Sequence, residues 1–142
     1  MSILKSFDLT GKLALVTGAS RGIGRGIAEA LAVAGADILG VSASLSPKGS
    51  DVEKTVKQIG RNFEGYKVDF SKRDKLINFV ENLKNKKIVP DILINNAGTI
   101  RRNSAENHPT EWWDEVIEVN LSSQFILSRE IGREMINRGS GK

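Results

Sequence analysis

The residues best suited to chemistry form a glycine-rich stretch at 17–24, with the sequence Thr-Gly-Ala-Ser-Arg-Gly-Ile-Gly. Four apolar residues, 13–16, precede it as a candidate buried strand, and apolar residues follow it at helical spacing, namely Ile23, Ile27, Leu31 and Ala34. The first turn of such a helix presents free N–H groups and a positive dipole end to an anion. Glycine at 18 allows a sharp turn, while glycine at 22 and 24 keeps side chains away from a pyrophosphate and from the neighbouring sheet. The spacing, longer than in Gly-x-Gly-x-x-Gly, predicts a dinucleotide-binding turn; the alternative is an ordinary strand–helix turn rich in glycine.

The elements around this turn alternate between strand and helix. After a lead-in segment at 1–11, strands are predicted at 12–17, 37–42, 63–68 and 91–95. Helices are predicted at 22–34, at 51–59, after a capping box at 71–74, and from about 109 to about 137. The helix after the capping box is expected to bury Leu76, Ile77, Val80 and Leu83. Such alternation gives right-handed βαβ units and a parallel sheet, so we expect a doubly wound α/β fold.

Polar residues stand at the carboxyl ends of all four predicted strands: Thr17, Ser42, Asp69 and the pair Asn95 and Asn96. In open parallel sheets ligands bind at these ends, near the point where the strand order reverses. The coincidence of four strand ends therefore predicts one binding crevice.

Composition excludes several other classes of protein. With 142 residues, 39% hydrophobic and 27% charged, the chain fits a single globular domain, which we assign to 1–142. The absence of cysteine excludes disulfides and thiolate metal sites, and a single histidine excludes a histidine metal cluster. The net charge of +4 is spread along the chain and aromatic residues are 6%, so we expect no nucleic-acid partner. No apolar run suits a signal peptide or a membrane span, so we expect no membrane partner and a cytoplasmic protein.

The glycine stretch, read as Thr-Gly-x-x-x-Gly-x-Gly, and the later Asn95-Asn96-Ala97-Gly98 resemble the short-chain dehydrogenase/reductase family, in that family's order and from Asp8 onward. The resemblance implies a Rossmann sheet with strand order 3-2-1-4, cut before its fifth strand. It also implies NAD or NADP as cofactor, bound by Thr17, Gly18, Ser20, Arg21, Gly22, Ile23, Gly24, Ser42, Asp69, Phe70, Asn96, Ala97 and Gly98. Asp69 would accept a hydrogen bond from the adenine amino group, with Phe70 near the ring; alternatively, Asp69 caps the following turn.

Asn120 interrupts a helical run of apolar residues that look buried, Val116, Ile117, Leu121 and Leu127. By resemblance it is catalytic and holds a water in a proton relay; alternatively, it bonds to the backbone. The family's catalytic Ser and Tyr-x-x-x-Lys are missing, since the only tyrosine, Tyr66, is followed four residues later by Phe70. We therefore expect this chain to be the N-terminal portion of a longer enzyme and to be inactive alone.

The acid expected about 20 residues after the glycine turn to bind a ribose 2′-hydroxyl is absent, because residues 41–44 read Val-Ser-Ala-Ser. By resemblance Arg21 lies beside that ribose and could pair with a 2′-phosphate. The choice between NAD and NADP stays open.

Arg101 and Arg102, with Trp112-Trp113-Asp114, resemble the family's sugar-acid dehydrogenases, which act on 2-deoxygluconate, 2-keto-3-deoxygluconate or gluconate. An arginine pair could clamp a substrate carboxylate; alternatively, these are solvated loop charges. We expect hydride transfer between the nicotinamide and a sugar-acid hydroxyl or ketone in a homo-oligomer, a dimer or tetramer. The alternatives are a noncatalytic nucleotide-binding or regulatory module, and a reductase of other ketones such as 3-oxoacyl thioesters. His108 is assigned only local capping, and no metal ligand is predicted.

Overall fold

A computed structural model describes residues 3–142; residues 1 and 2, the start of the predicted lead-in segment, lie outside the described residues. Four parallel strands form one sheet: β1 (Leu13–Thr17), β2 (Asp37–Ser42), β3 (Phe63–Lys67) and β4 (Ile92–Ile94). Their order is β3-β2-β1-β4, so the predicted order 3-2-1-4 and the doubly wound α/β class are confirmed. The strand order reverses between β1 and β4, where the two neighbours in the sheet are far apart in sequence.

The helices cover both faces of the sheet. They are α1 (Gly22–Val33), α2 (Asp51–Gln58), α3 (Arg73–Asn85), α4 (Thr110–Ile117) and α5 (Ser123–Arg138), with short 3-10 turns at Ile3–Phe7 and Ala105–Asn107. Side chains alternate along β1, so that Ala14 and Val16 pack with α1 and α2, while Leu15 packs with α3 and α5. No helix among residues 3–142 combines the length and the apolar character needed to cross a bilayer.

The start of α3 differs from its predicted capping box. The N-cap is Lys72, which makes no side-chain capping bond. Ser71, the first residue of the predicted box, does not cap the helix, because its N–H and Oγ both donate to Asp69 Oδ1, at 2.9 and 2.7 Å. The buried face of α3 also shifts from the prediction: Ile77 is 47% exposed, and Phe79 is 4% exposed in its place. The aromatic ring reaches the core by packing edge-on against Tyr66 of β3, with ring centroids 5.0 Å apart.

The predicted long helix is helical without a gap from Thr110 to Arg138 but contains a π turn at Glu118–Ser122, between α4 and α5. Widening from i→i+4 to i→i+5 bonding leaves a helical carbonyl without its usual N–H partner. The buried hydroxyl of Ser123 compensates by donating to the carbonyl of Val119 at 2.6 Å. The wider turn also changes the directions of its own side chains, and Leu121 within it, predicted to be buried, is 63% exposed.

The open edge of β4 pairs with the last residue of the sequence. The N–H of Lys142 donates to the carbonyl of Asp91 at 2.9 Å, and the N–H of Leu93 donates to the carbonyl of Lys142 at 2.9 Å. These two bonds continue the sheet beyond β4 on the side away from β1.

Candidate functional site

A cavity of about 490 Å³ lies at the carboxyl ends of the strands, where the sheet reverses its strand order. Twelve of the predicted cofactor residues line it: Gly18, Ser20, Arg21, Gly22, Ile23, Gly24, Ser42, Asp69, Phe70, Asn96, Ala97 and Gly98. The structure therefore brings together residues that span 80 positions of sequence, from Gly18 to Gly98. The lining also includes residues that the sequence reasoning did not assign to the cofactor: Ala43, Ser44, Val68, Ser71, Thr99, Glu115 and Val119.

The three glycines of the turn have different physical roles. Gly18 and Gly22 have positive φ angles of 69° and 58°, which glycine adopts without strain. A Cβ at Gly18 would lie 2.7 Å from Asn96 Nδ2, so this glycine lets the turn after β4 approach the turn after β1, and a Cβ at Gly24 would overlap the carbonyl of Gly18, so Gly24 lets α1 approach the same turn. A Cβ at Gly22 would meet nothing within 4 Å, so this glycine borders open space in the cavity.

The N-terminus of α1 faces this open space without an internal cap. The N-cap residue, Arg21, is extended and makes no side-chain capping bond. The N–H groups of the first turn thus keep their capacity to bind an anion, as a pyrophosphate site requires. On this observation the residues present fit the phosphate portion of a dinucleotide.

Thr17 is built into the floor beneath the cavity and does not line it, although it was predicted to contact the cofactor. It is 1% exposed, and its Oγ1 accepts the N–H groups of Asn96 and Ala97, both at 2.9 Å, while donating to the carbonyl of Ile94 at 3.1 Å. Asn96 Nδ2 returns a hydrogen bond to the carbonyl of Thr17 at 3.0 Å. One hydroxyl therefore joins the end of β1 to the Asn-Asn-Ala-Gly turn after β4. Asn95 in turn connects this end of β4 to α5, because its Nδ2 donates to Ser128 Oγ at 2.9 Å.

Hydroxyl groups occupy the end of β2, where an acid would bind a ribose 2′-hydroxyl. Ser20 Oγ lies 3.1 Å from Ser42 Oγ and 2.9 Å from Ser44 Oγ, and the last two are 3.3 Å apart. The nearest acid in sequence, Asp37, lies at the opposite end of β2, where hydrogen bonds from the backbone and side chain of Asn62 lower its pKa. This end of the cavity is therefore polar and uncharged apart from Arg21.

Asp69 and Phe70 form the third side of the cavity. The capping interpretation of Asp69 is realised, since its Oδ1 accepts both bonds from Ser71, yet the residue is exposed and lines the cavity. Phe70 is 5% exposed and belongs to the core shared with α3 and α5, so it forms part of the wall. Contact of either residue with an adenine ring stays a prediction.

Asn120 lies in the π turn and bonds to the backbone, as one of the two sequence interpretations proposed. Its Oδ1 accepts the N–H of Thr99 at 2.8 Å, and its Nδ2 donates to the carbonyl of Thr99 at 3.0 Å. Gln124 fixes the neighbouring Asn-Asn-Ala-Gly turn by donating to the carbonyl of Ala97 at 3.3 Å. Asn120 does not line the cavity, and its role in a proton relay stays a prediction.

Arg101 and Arg102, which follow the Asn-Asn-Ala-Gly turn, have different surroundings. Arg101 forms a two-pronged pair with Glu115 of α4, with Nε to Oε2 at 2.9 Å and Nη2 to Oε1 at 2.8 Å. Arg102 is exposed, and no hydrogen bond or ion pair engages its side chain within residues 3–142. Neither arginine lines the cavity, although Glu115 does.

Tyr66 and Glu118 are titratable side chains that lie outside the cavity lining. The hydroxyl of Tyr66 donates to Glu64 at 2.6 Å on β3, and burial is the main cause that raises its pKa. Within the described residues no cluster of three or more His, Cys, Asp or Glu side chains could hold a metal ion. Beside the cavity, hydrogen bonding from Arg73 lowers the pKa of Glu118 and keeps this carboxylate charged.

Comparison with known proteins places this site in a family. The family model for short chain dehydrogenases matches residues 12–142. A 2-dehydro-3-deoxy-D-gluconate 5-dehydrogenase of Pseudoalteromonas atlantica is 61% identical over 140 residues, which are 99% of this chain and 55% of the relative. The protein of the same name from Bacillus subtilis is 49% identical over 138 residues, 96% of this chain and 53% of that protein.

A solved structure gives the same result. A protein assigned as an NAD(P)-dependent gluconate 5-dehydrogenase from Beutenbergia cavernae, with NADP bound at low occupancy, aligns with a TM-score of 0.85 and 37% identity. The alignment covers 95% of this chain and 53% of that one. The chain thus spans about half the length of the curated relatives it matches. Since the family model covers the glycine turn, the Asn-Asn-Ala-Gly turn and the cavity between them, the chain belongs to the short-chain dehydrogenase family.

Proposed function

We propose that the full-length protein carrying these residues is an NAD- or NADP-dependent oxidoreductase that acts on a sugar acid of the 2-dehydro-3-deoxygluconate or gluconate type. The observation that carries the proposal is the 61% identity to a 2-dehydro-3-deoxy-D-gluconate 5-dehydrogenase along nearly the whole chain. The nicotinamide ring, when bound, accepts or supplies the hydride. The residues of this chain hold the cofactor and shape the approach to it.

Within this proposal the glycine turn binds the pyrophosphate. The uncapped N–H groups at the start of α1 serve as donors, and the open space beside Gly22 admits the phosphates. Ser42 and Arg21 face the adenosine ribose. The Ser42 hydroxyl can hydrogen-bond the ribose 2′-hydroxyl of NAD, and the Arg21 guanidinium can also pair with the 2′-phosphate of NADP. Asp69 and Phe70 receive the adenine, and residues 96–98 line the opposite side of the adenosine.

The proton-transfer residues are proposed to lie outside these 142 residues. Tyr66, the only tyrosine, is bonded to Glu64 on the edge strand and is absent from the cavity lining. In this arrangement Asn120 contributes by fixing Thr99, the residue that continues the cavity wall toward the substrate side.

The same protein is proposed to self-associate through its longest helix. Phe125 near the start of this helix, α5, is 61% exposed, Leu121 in the preceding π turn is 63% exposed, and Ile77 of α3 is 47% exposed beside them. Neighbouring apolar side chains on adjoining helices favour burial against another copy of the chain. Sedimentation of the full-length protein, with Phe125→Glu as the disrupting variant, tests this part.

The activity is tested with the full-length protein and the nicotinamide absorbance signal. NAD and NADP are each paired with 2-dehydro-3-deoxy-D-gluconate, with D-gluconate and with glycerol as a neutral polyol, and the reduced cofactors are paired with a 3-oxoacyl thioester. The proposal is supported if kcat/KM is higher for the two sugar acids than for glycerol and the thioester. Preference for the thioester would favour the alternative reductase, and nucleotide binding without turnover of any of these compounds would favour a noncatalytic module.

A further inference from the structure

The loop that follows the Asn-Asn-Ala-Gly turn is fixed onto α4 and the π turn from both sides of Arg101. Asn120 holds both backbone groups of Thr99, at 2.8 and 3.0 Å. Glu115 holds the guanidinium of Arg101 with two bonds, and a ring nitrogen of His108 lies 3.3 Å from the carbonyl of Arg101. These contacts fix the backbone on which Arg102 stands.

Arg101 and Arg102 therefore differ in whether their positive charge is already paired. The planar fork of Arg101 is filled by the Glu115 carboxylate, in the geometry that a substrate carboxylate would also use. A substrate that bound Arg101 in this way would first have to displace Glu115, and it would leave that carboxylate unpaired beside the bound acid. Arg102 requires no such exchange, because no partner engages its side chain within the part of the chain that the structure describes.

We infer that Arg102 is the residue that binds the substrate carboxylate, and that Glu115, acting through Arg101, is a positioning residue for the loop that presents it. The inference rests on the proposed sugar-acid function. Arg102 lies three residues after Thr99, which lines the cavity, and three residues span at most about 10 Å. The backbone of Arg102 is therefore close enough to the cavity for its long side chain to reach the carboxylate end of a substrate bound there.

The test uses the full-length protein and its kinetics with D-gluconate, an acid, and with glycerol, a neutral polyol. Arg102→Ala should lower kcat/KM for D-gluconate about tenfold or more, mainly through KM, as expected for the loss of a charge-assisted hydrogen bond. Turnover of glycerol and the Kd for the nicotinamide cofactor should stay the same. Arg102→Lys should restore part of the loss, because an ammonium keeps the charge but not the two-pronged geometry.

Arg101→Ala and Glu115→Gln provide the matched comparison. Each should raise KM for D-gluconate by only about two- to fivefold, the range of a partly exposed ion pair. The double variant Arg101→Ala/Glu115→Gln should be no worse than either single change, because both remove the same contact.

Three results would overturn the inference. A larger loss for Arg101→Ala than for Arg102→Ala would make Arg101 the carboxylate ligand. Equal effects of Arg102→Ala on D-gluconate and glycerol would remove its selectivity for the acid and leave the proposed function intact. A wild-type protein that oxidises glycerol but no sugar acid, with intact nucleotide binding, would instead refute the proposed substrate class, and this inference with it.

Discussion

Replacing Gly22 by valine separates the cofactor site from the fold more cleanly than any other change in this chain. A Cβ at this position meets no atom within 4 Å, so the added Cβ causes no clash inside the protein. The cost to folding comes from the backbone, because φ is 58° and a residue other than glycine in this region loses about 1–2 kcal/mol. We therefore expect Gly22→Val to fold with a modest loss in the free energy of unfolding.

The cost to binding should be larger. The valine would occupy the open space that borders the uncapped N-terminus of α1, where the pyrophosphate is proposed to bind. Losing one or two charge-assisted hydrogen bonds, each about 1.5–3 kcal/mol, raises Kd by at least about tenfold. Titration calorimetry of the full-length protein with NAD and with NADP measures this effect.

Gly60→Val is the matched control. Gly60 also has a positive φ, 89°, and open space around its Cβ, but it follows α2 and does not line the cavity. Both variants should lose similar stability in urea unfolding, and only Gly22→Val should lose nucleotide affinity. A folded Gly22→Val with wild-type Kd values would refute the assignment of this turn as the phosphate site.

Three other outcomes follow from particular contacts. Thr17→Val leaves two buried N–H groups without an acceptor and should lower the free energy of unfolding by about 2–3 kcal/mol in urea, whereas Thr17→Ser, which keeps the hydroxyl, should retain most of it. Hydrogen bonds, first from Lys84 and then from Arg129, lower the pKa of Glu130 to about 2 from an ordinary 4.5, so its stabilisation is complete above the ordinary value and is lost as pH falls toward 2. Urea unfolding at several pH values in this window should show a shallower acid-side loss for Glu130→Gln than for wild type, and equal slopes would contradict this. The 142-residue polypeptide alone should not reduce NAD or NADP with sugar acids, because it contains no Tyr-x-x-x-Lys; turnover that scales with its concentration would be the contrary result.

The sheet and most of the cavity could be predicted because they depend on local patterns. Apolar runs and glycines define the four strands and the turn after β1, and parallel connections bring the carboxyl ends of the strands together. Ser42, Asp69 and Asn96 follow directly from that geometry, since each stands at a strand end.

What the sequence did not reveal depends on which partner a polar side chain chooses. The spacing from Ser71 to Asp74 fits a capping box, but the hydroxyl and N–H of Ser71 both donate to Asp69 instead. Helical periodicity predicted that Leu121 is buried, but the π turn shifts the register by a fraction of a turn, and no propensity scale signals such a turn. The pairing of Arg101 with Glu115 joins residues 14 apart across a loop, beyond the reach of any local pattern.

The hydrogen bonds around Thr17 also bear on how the site would bind its ligand. In doubly wound sheets the crevice at the reversal point forms because the chain leaves the two central strands toward opposite faces. Here α1 follows β1 and packs on one face of the sheet, and α5 packs on the other face. A single buried hydroxyl closes the floor of the crevice, and Gly18 and Gly24 let Asn96 approach the turn closely enough to complete it. The Thr17 hydroxyl thus makes its three hydrogen bonds without a ligand, while the groups that border the cavity above it, the serine hydroxyls, Arg21 and the first turn of α1, keep capacity for new bonds. A dinucleotide would therefore bind to a site whose base is already ordered, so its binding free energy would not have to offset the folding of that base.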